Sequence, residues 1–210
     1  MKVSRTIIPL ALALCFGTSL AHAQAGLSVY FGVGTAVADS SNKAIDTFET
    51  GNPLTTPRLG GTFGKAGLDY MFSPHFGVGA ETDFRFSQGS YAGLTYRPTF
   101  YDFNLVYKPI ASVRKRVIPE FQGGLGAANM SFFLPNTSCN QFTGCSSNNT
   151  FLDSSNHFQV HTSAGVRFYA TSHLFVRPQV DVRYIHDNFQ FGTNWVPEYG
   201  AAVGWTFGER

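Results

Sequence analysis

The chain has 210 residues, with 15 Lys and Arg against 13 Asp and Glu, a length that suits one domain. Charged residues make up only 13%, about half the roughly 25% of an ordinary soluble domain, while Gly numbers 22, Phe 21 and Tyr 9. This excludes a charge-rich disordered chain and a basic surface for nucleic acid; the longest apolar run, Ile7 to Phe16, falls well short of the ~20 residues of a membrane-spanning helix.

In chain order, Met1 to Ala23 combines a basic start (Lys2, Arg5), an apolar stretch to Leu20 and the small-residue pattern Ala21-His22-Ala23. That predicts a secretory signal peptide over 1–23, cleaved after Ala23, and a mature domain over 24–210. Loss of Lys2 and Arg5 leaves the mature chain formally neutral. Cys15 goes with the leader, and the two cysteines left, Cys139 and Cys145, predict one local disulfide in an oxidising compartment.

The mature chain shows period-two alternation again and again and no convincing helical spacing, which predicts an all-β fold. Eight strands are expected: Gly26 to Ala36, Gly60 to Phe72, Phe76 to Ser87, Thr95 to Lys108, Arg116 to Phe133, Phe158 to Ala170, Leu174 to Asp187 and Pro197 to Phe207. In the third, Phe76, Val78, Ala80, Thr82, Phe84 and Phe86 share one face, opposite Gly77, Gly79, Glu81, Asp83 and Arg85. Connections alternate between short and long. Long polar ones fall at Val37 to Arg58, Gln88 to Leu94, Pro135 to His157 and Asn188 to Val196, all at one end of the sheet. Within the third, Asn136 to Asn156 reads as a solvated loop.

Alternation does not say which face points inward, but charge does. A water-soluble barrel carries roughly 25–35% charge outside, far above what this chain has. Polar faces turned inward place Asp69, Glu81, Asp83, Asp102, Glu120, Asp181 and Glu198 with Lys65, Arg85, Arg167, Arg177 and Arg183 in a nearly neutral ion-pair lumen. Greasy faces turned outward put Tyr70, Phe72, Phe76, Phe84, Tyr107, Trp205 and Phe207 near strand ends, as lipid-facing girdles require. Arg97 falls on the greasy phase and is the one outlier; only a place near the loop end makes it tolerable.

The segment Asp69 to Glu81 and the closing strand Tyr199 to Phe207 resemble the eight-stranded outer-membrane β-barrel superfamily of the OmpA/OmpX type. The resemblance spans about Gly26 to Phe207 and implies an antiparallel up-and-down transmembrane β-barrel in the outer membrane of a Gram-negative-type bacterium. It implies outer-membrane lipid and the barrel-assembly machinery as partners, with any extracellular ligand held by the loops. One departure is that Gly208-Glu209-Arg210 follows the last aromatic.

Candidate chemistry is sparse. His186 with Asn188 is similar to the active segment of lipid A deacylase barrels, but Asn188 stands where the hydroxyl nucleophile belongs, and an amide cannot form an acyl-enzyme. His161 and Ser163 share a face two residues apart, roughly 7 Å, too far for direct hydrogen bonding. The glycines at Gly32, Gly34, Gly123, Gly124 and Gly126 precede no helix and are not phosphate loops. The expectation is a structural or surface-interaction protein, not an enzyme, with no catalytic residue, metal or cofactor. A lipid-modifying barrel enzyme and a soluble periplasmic barrel of the lipocalin kind are the alternatives.

Overall fold

The computed structural model describes residues 26–37, 44–46, 49–110, 116–140, 144–188 and 191–208; the predicted leader, 1–23, lies outside them. Among the described residues there are eleven strands: β1 (Leu27–Ala36), β2 (Ala44–Ile45), β3 (Leu54–Thr55), β4 (Thr62–Met71), β5 (Phe76–Arg85), β6 (Gly89–Tyr91), β7 (Leu94–Tyr107), β8 (Val117–Asn140), β9 (Gly144–Tyr169), β10 (Leu174–Ile185) and β11 (Trp195–Phe207). Eight of them run in the order β5-β4-β1-β11-β10-β9-β8-β7, and β5 pairs with β7 to close the ring. Every pairing is antiparallel, and the last strand meets the first from Leu27↔Phe207 to Ala36↔Glu198. Closure leaves none of these strands with a free edge at barrel level, which hydrocarbon demands of any sheet that crosses it.

Alternation sorts the side chains as charge predicted. Along β10, Phe175, Arg177, Gln179, Asp181 and Arg183 are buried, and Val176 and Val180 between them are exposed. The most exposed large side chains, Phe103 at 71% and Phe31 at 66%, are aromatics on the outer wall, the reverse of a water-soluble barrel. Fully buried Arg167, Arg177 and Arg183 are the largest side chains inside.

The interior is layered along its axis. At the end bearing the long connections, Phe63, Tyr96, Phe100, Met130, Ile185 and Val196 pack with Leu59 and Phe191 from the loops. At the short-turn end, Tyr30, Ile118, Tyr169, Phe175 and Ala202 form a second apolar layer. Charge occupies the zone between them. A uniformly polar lumen was therefore too simple an expectation: Phe63, Phe100 and Met130 share the inward phase with the charges, at a different height.

Two expected loops are ladders instead. The connection 88–94 forms a hairpin in which β6 folds onto β7, turned by Ala92 at φ 52 and Gly93 at φ 79, the pair of positive φ values that a two-residue hairpin turn needs. The stretch 135–157 is not an irregular solvated loop: β8 and β9 stay paired from Val117↔Phe168 to Asn140↔Gly144. Its Asn, Ser and Thr content correctly signalled water on both faces; a two-stranded ribbon meets that condition while satisfying its backbone through the ladder.

Candidate functional site

The charged zone is built by strands that each contribute inward residues at the same height. Lys65 on β4 sits at its centre, with Nζ 2.6 Å from Glu81 Oε1, 2.9 Å from Asp83 Oδ1, 3.1 Å from Asp181 Oδ2 and 3.6 Å from Glu198 Oε1. Arg183 lies on the loop side and joins Asp102 (Nε to Oδ2, 3.0 Å), Glu198 (Nη1 to Oε2, 2.7 Å) and Asp83. On the short-turn side Arg177 bridges Glu81 at 2.8 Å and Glu120 at 2.9 Å. Arg167 donates to Asp69 and to Ser28 Oγ at 3.0 Å, and its Nε lies 2.6 Å from Glu120 Oε2 as an ion pair. Aromatic faces close the ends, Arg183 lying 4.9 Å from the Phe100 ring centre, Arg167 4.5 Å from Phe175 and Arg177 3.7 Å from Tyr30. The planar guanidinium suits both the fork to carboxylates and the stack on a ring.

Arg85 departs from the expected network. It shares the phase of Glu81 and Asp83 but stands at the loop end of β5, opposite Phe63, above the carboxylates. There it donates to Tyr96 Oη at 3.3 Å, lies 5.5 Å from that ring's centre and makes no ion pair with a described residue. Lys108, one residue beyond β7, takes a place at the other end, with Nζ 3.6 Å from Glu120 Oε2. Its even-numbered phase with Asp102 and Asn104 was a usable signal. Tyr30 was also missed, though it shares its face with Gly32 and Gly34; its hydroxyl donates to Glu81 Oε2 at 2.9 Å. A methyl at Gly67 would collide with the Tyr30 ring, so that glycine makes the room.

His161 faces Asn104 Oδ1 at 2.9 Å through Nδ1 and Asp181 Oδ1 at 3.1 Å through Nε2. Both ring nitrogens are engaged, so it is no base for Ser163. Glu81, His161 and Asp181 offer ligand atoms within 4.8 Å of one another, but the Lys65 ammonium already sits against both carboxylates, and a metal ion there would face that positive charge. At the opposite end His186 is exposed, 3.3 Å from Asp187 Oδ2, whereas Asn188 is fully buried and donates to the Thr193 carbonyl at 2.8 Å. Asn188 is engaged with Thr193 and is not presented beside His186.

Beyond the barrel the β8–β9 ribbon continues alone. Pairing of β7 with β8 stops at Thr95↔Phe133, and from Leu134↔Thr150 to Asn140↔Gly144 the two strands form a ladder only with each other, a projection of ~24 Å at about 3.4 Å per residue. A side-chain hydrogen bond runs from Asn149 to Gln88 near the base. At its base one extra residue, Leu152, shifts the register between Phe132 and Phe133, and the Phe133 and Phe151 rings meet edge to face, 5.8 Å apart. At its tip Cys139 and Cys145, cross-strand neighbours, are bonded.

This architecture matches a known family: residues 8–207 fit the outer membrane protein beta-barrel domain. The chain belongs to that family. It is an outer-membrane protein, and its aromatic outer wall is the lipid-facing surface. Three solved structures share the fold. Neisserial surface protein A is 14% identical, with 85% of this chain and 96% of that one covered and a TM-score of 0.55. The outer membrane protein OprG from Pseudomonas aeruginosa is 14% identical (89% and 97%, TM-score 0.52). Ail, the attachment invasion locus protein of Yersinia pestis, in complex with the heparin analogue sucrose octasulfate, is 13% identical (87% and 99%, TM-score 0.51). No relative is found among curated protein sequences.

Proposed function

We propose that the protein is a surface-interaction module: a sealed barrel that anchors the β8–β9 ribbon and holds it out from the membrane. The carrying observation is the ribbon itself, which extends as paired strands beyond the ring and is clamped at its tip by Cys139–Cys145. A loop that served only to join two strands needs neither length nor a covalent clamp. Apart from exposed Leu134, Phe151 and Leu152 at its base, the ribbon's chemistry is mainly neutral hydroxyl and amide, with Asp153 the only formal charge between Leu134 and Asn156, so it suits hydrogen-bonding recognition of uncharged partners. The Ail structure holds a sulfated heparin analogue; the loops here carry Asp39, Asp46, Glu49, Asp153 and Asp187 against Lys43 and Arg58, which disfavours a polyanion. An enzyme reading finds little support in the buried amide of Asn188.

The test removes the ribbon and keeps the barrel. A variant in which residues 134–151 are replaced by Asn-Gly should still fractionate with the outer membrane and resist extraction, while cells carrying it lose attachment to glass coated with a neutral polysaccharide such as dextran relative to wild type. Attachment unchanged with the ribbon gone contradicts the proposal.

A further inference from the structure

On the outward phase of the eight barrel strands, one charged side chain stands among the described residues: Arg97 on β7. It is exposed and makes no ion pair with any described residue. In register beside it lie Ser131 and Ser154, and one row towards the bilayer Thr99, Asn129 and Asn156. Asn129 Nδ2 donates to Asn156 Oδ1 at 2.8 Å, and Ser131 Oγ to Asn129 Oδ1 at 2.7 Å. All six share the outer face. Three strands at about 4.8 Å spacing and two rows about 7 Å apart make a polar patch about 10 Å by 7 Å, wide enough to seat a phosphate group.

Its surroundings give its height. The next row inward is Tyr101, Ala127 and Phe158, with Tyr101 and Phe158 exposed on the greasy wall. The next row outward carries the paired rings of Phe133 and Phe151. The patch is therefore the interfacial band, where an outward arginine is tolerated; at mid-bilayer it would be strongly unfavourable. Along β7, ~13 Å from Arg97 at about 3.3 Å per residue, Tyr101 borders an open cleft of about 360 Å³ on the outer wall, floored by Ala66 and Ala80 between Phe31 and Phe103.

We propose that Arg97 is the anchor of a lipid-binding site for a phosphorylated lipid of the surrounding leaflet. The guanidinium takes the phosphate through paired N–H donors, the Ser154 hydroxyl and the Asn156 amide N–H are positioned to support it, and the cleft beside Tyr101 receives an acyl chain. The charge is matched by no carboxylate among the described residues, and the wall beneath it admits hydrocarbon, so a phosphorylated lipid supplies both halves of the complement.

Native mass spectrometry of the folded protein from detergent is the test, with diphosphoryl lipid A, the same lipid dephosphorylated, and inorganic phosphate as separate probes. Wild type should retain one diphosphoryl lipid A, and the dephosphorylated form should bind about tenfold more weakly, as loss of a charge-assisted hydrogen-bond pair predicts. Arg97→Gln should show the same loss, Arg97→Lys an intermediate one, and Arg116→Gln, at the short-turn end, none. Asn156→Leu gives a second, charge-neutral weakening that does not depend on the fate of the arginine variant. Retention by Arg97→Gln at the wild-type level, or equal binding of the dephosphorylated lipid, overturns the site. Displacement of the lipid by millimolar inorganic phosphate alone overturns its assignment to a lipid and makes it a site for a free anion.

Discussion

Arg183 holds Asp83, Asp102 and Glu198 at once inside a region closed to water. Buried pairs of this kind add little net stability over an apolar filling, but stripping one partner leaves uncompensated charge and costs about 3–5 kcal/mol. Arg183→Ala should therefore lower the unfolding free energy of the barrel in lipid vesicles by that margin, read from urea titrations followed through the fluorescence of Trp195 and Trp205, which both lie on the lipid-facing wall. Arg85→Ala should lose only its stack on Tyr96, about 1 kcal/mol or less. Equal losses for the two variants contradict the division between a paired arginine and a stacked one, which is the part of the site that phase alone assigned wrongly.

At the scale of the element, the β8–β9 ribbon is two structures in one pair of strands. Up to Phe133 β8 is held by β7, while β9 is held by β10 only as far as Gln159; beyond Phe133 the two strands pair only with each other, and two strands alone are marginal in water. The disulfide at its tip compensates by shortening the list of unfolded arrangements open to the ring between the cysteines. Cys139→Ser with Cys145→Ser should leave the barrel's urea midpoint unchanged, because no barrel contact depends on the tip. Limited proteolysis should cut the variant faster between residues 134 and 150. A shifted barrel midpoint contradicts this separation of anchor and ribbon.

For the whole molecule, the issue is whether the interior conducts. Eight strands enclose a space that side chains can just fill, and three layers fill this one: apolar residues with Leu59 and Phe191 at the loop end, the charged zone, then Tyr30, Tyr169 and Phe175. An ion entering would have to displace an apolar plug before reaching any charge, and would then compete with ammonium and guanidinium groups already seated. Planar-bilayer recording of purified protein should show no steady channels. Reproducible open states would contradict a sealed barrel.

Much of this was legible without coordinates, for one reason: period two assigns every strand residue to a face, and a composition poor in charge says which face meets lipid. Alternation of Phe76 to Arg85 and of Leu174 to Ile185 carried the barrel and the face on which its charged residues stand, and the nearness of Cys139 and Cys145 in the chain pointed to the pair that is bonded at the ribbon tip. Period two carries no information on height along the axis. Only register, set by closure of β1 on β11 and β5 on β7, decided that Lys65 sits among four carboxylates, that Arg85 stands above them against Tyr96, and that Lys108 takes a place near Glu120. Composition likewise reports exposure and not order, so Asn136 to Asn156 reads as a solvated loop; pairing of neighbouring β8 and β9 beyond the wall makes it a ribbon, because a ladder satisfies the backbone wherever two extended segments are already brought side by side.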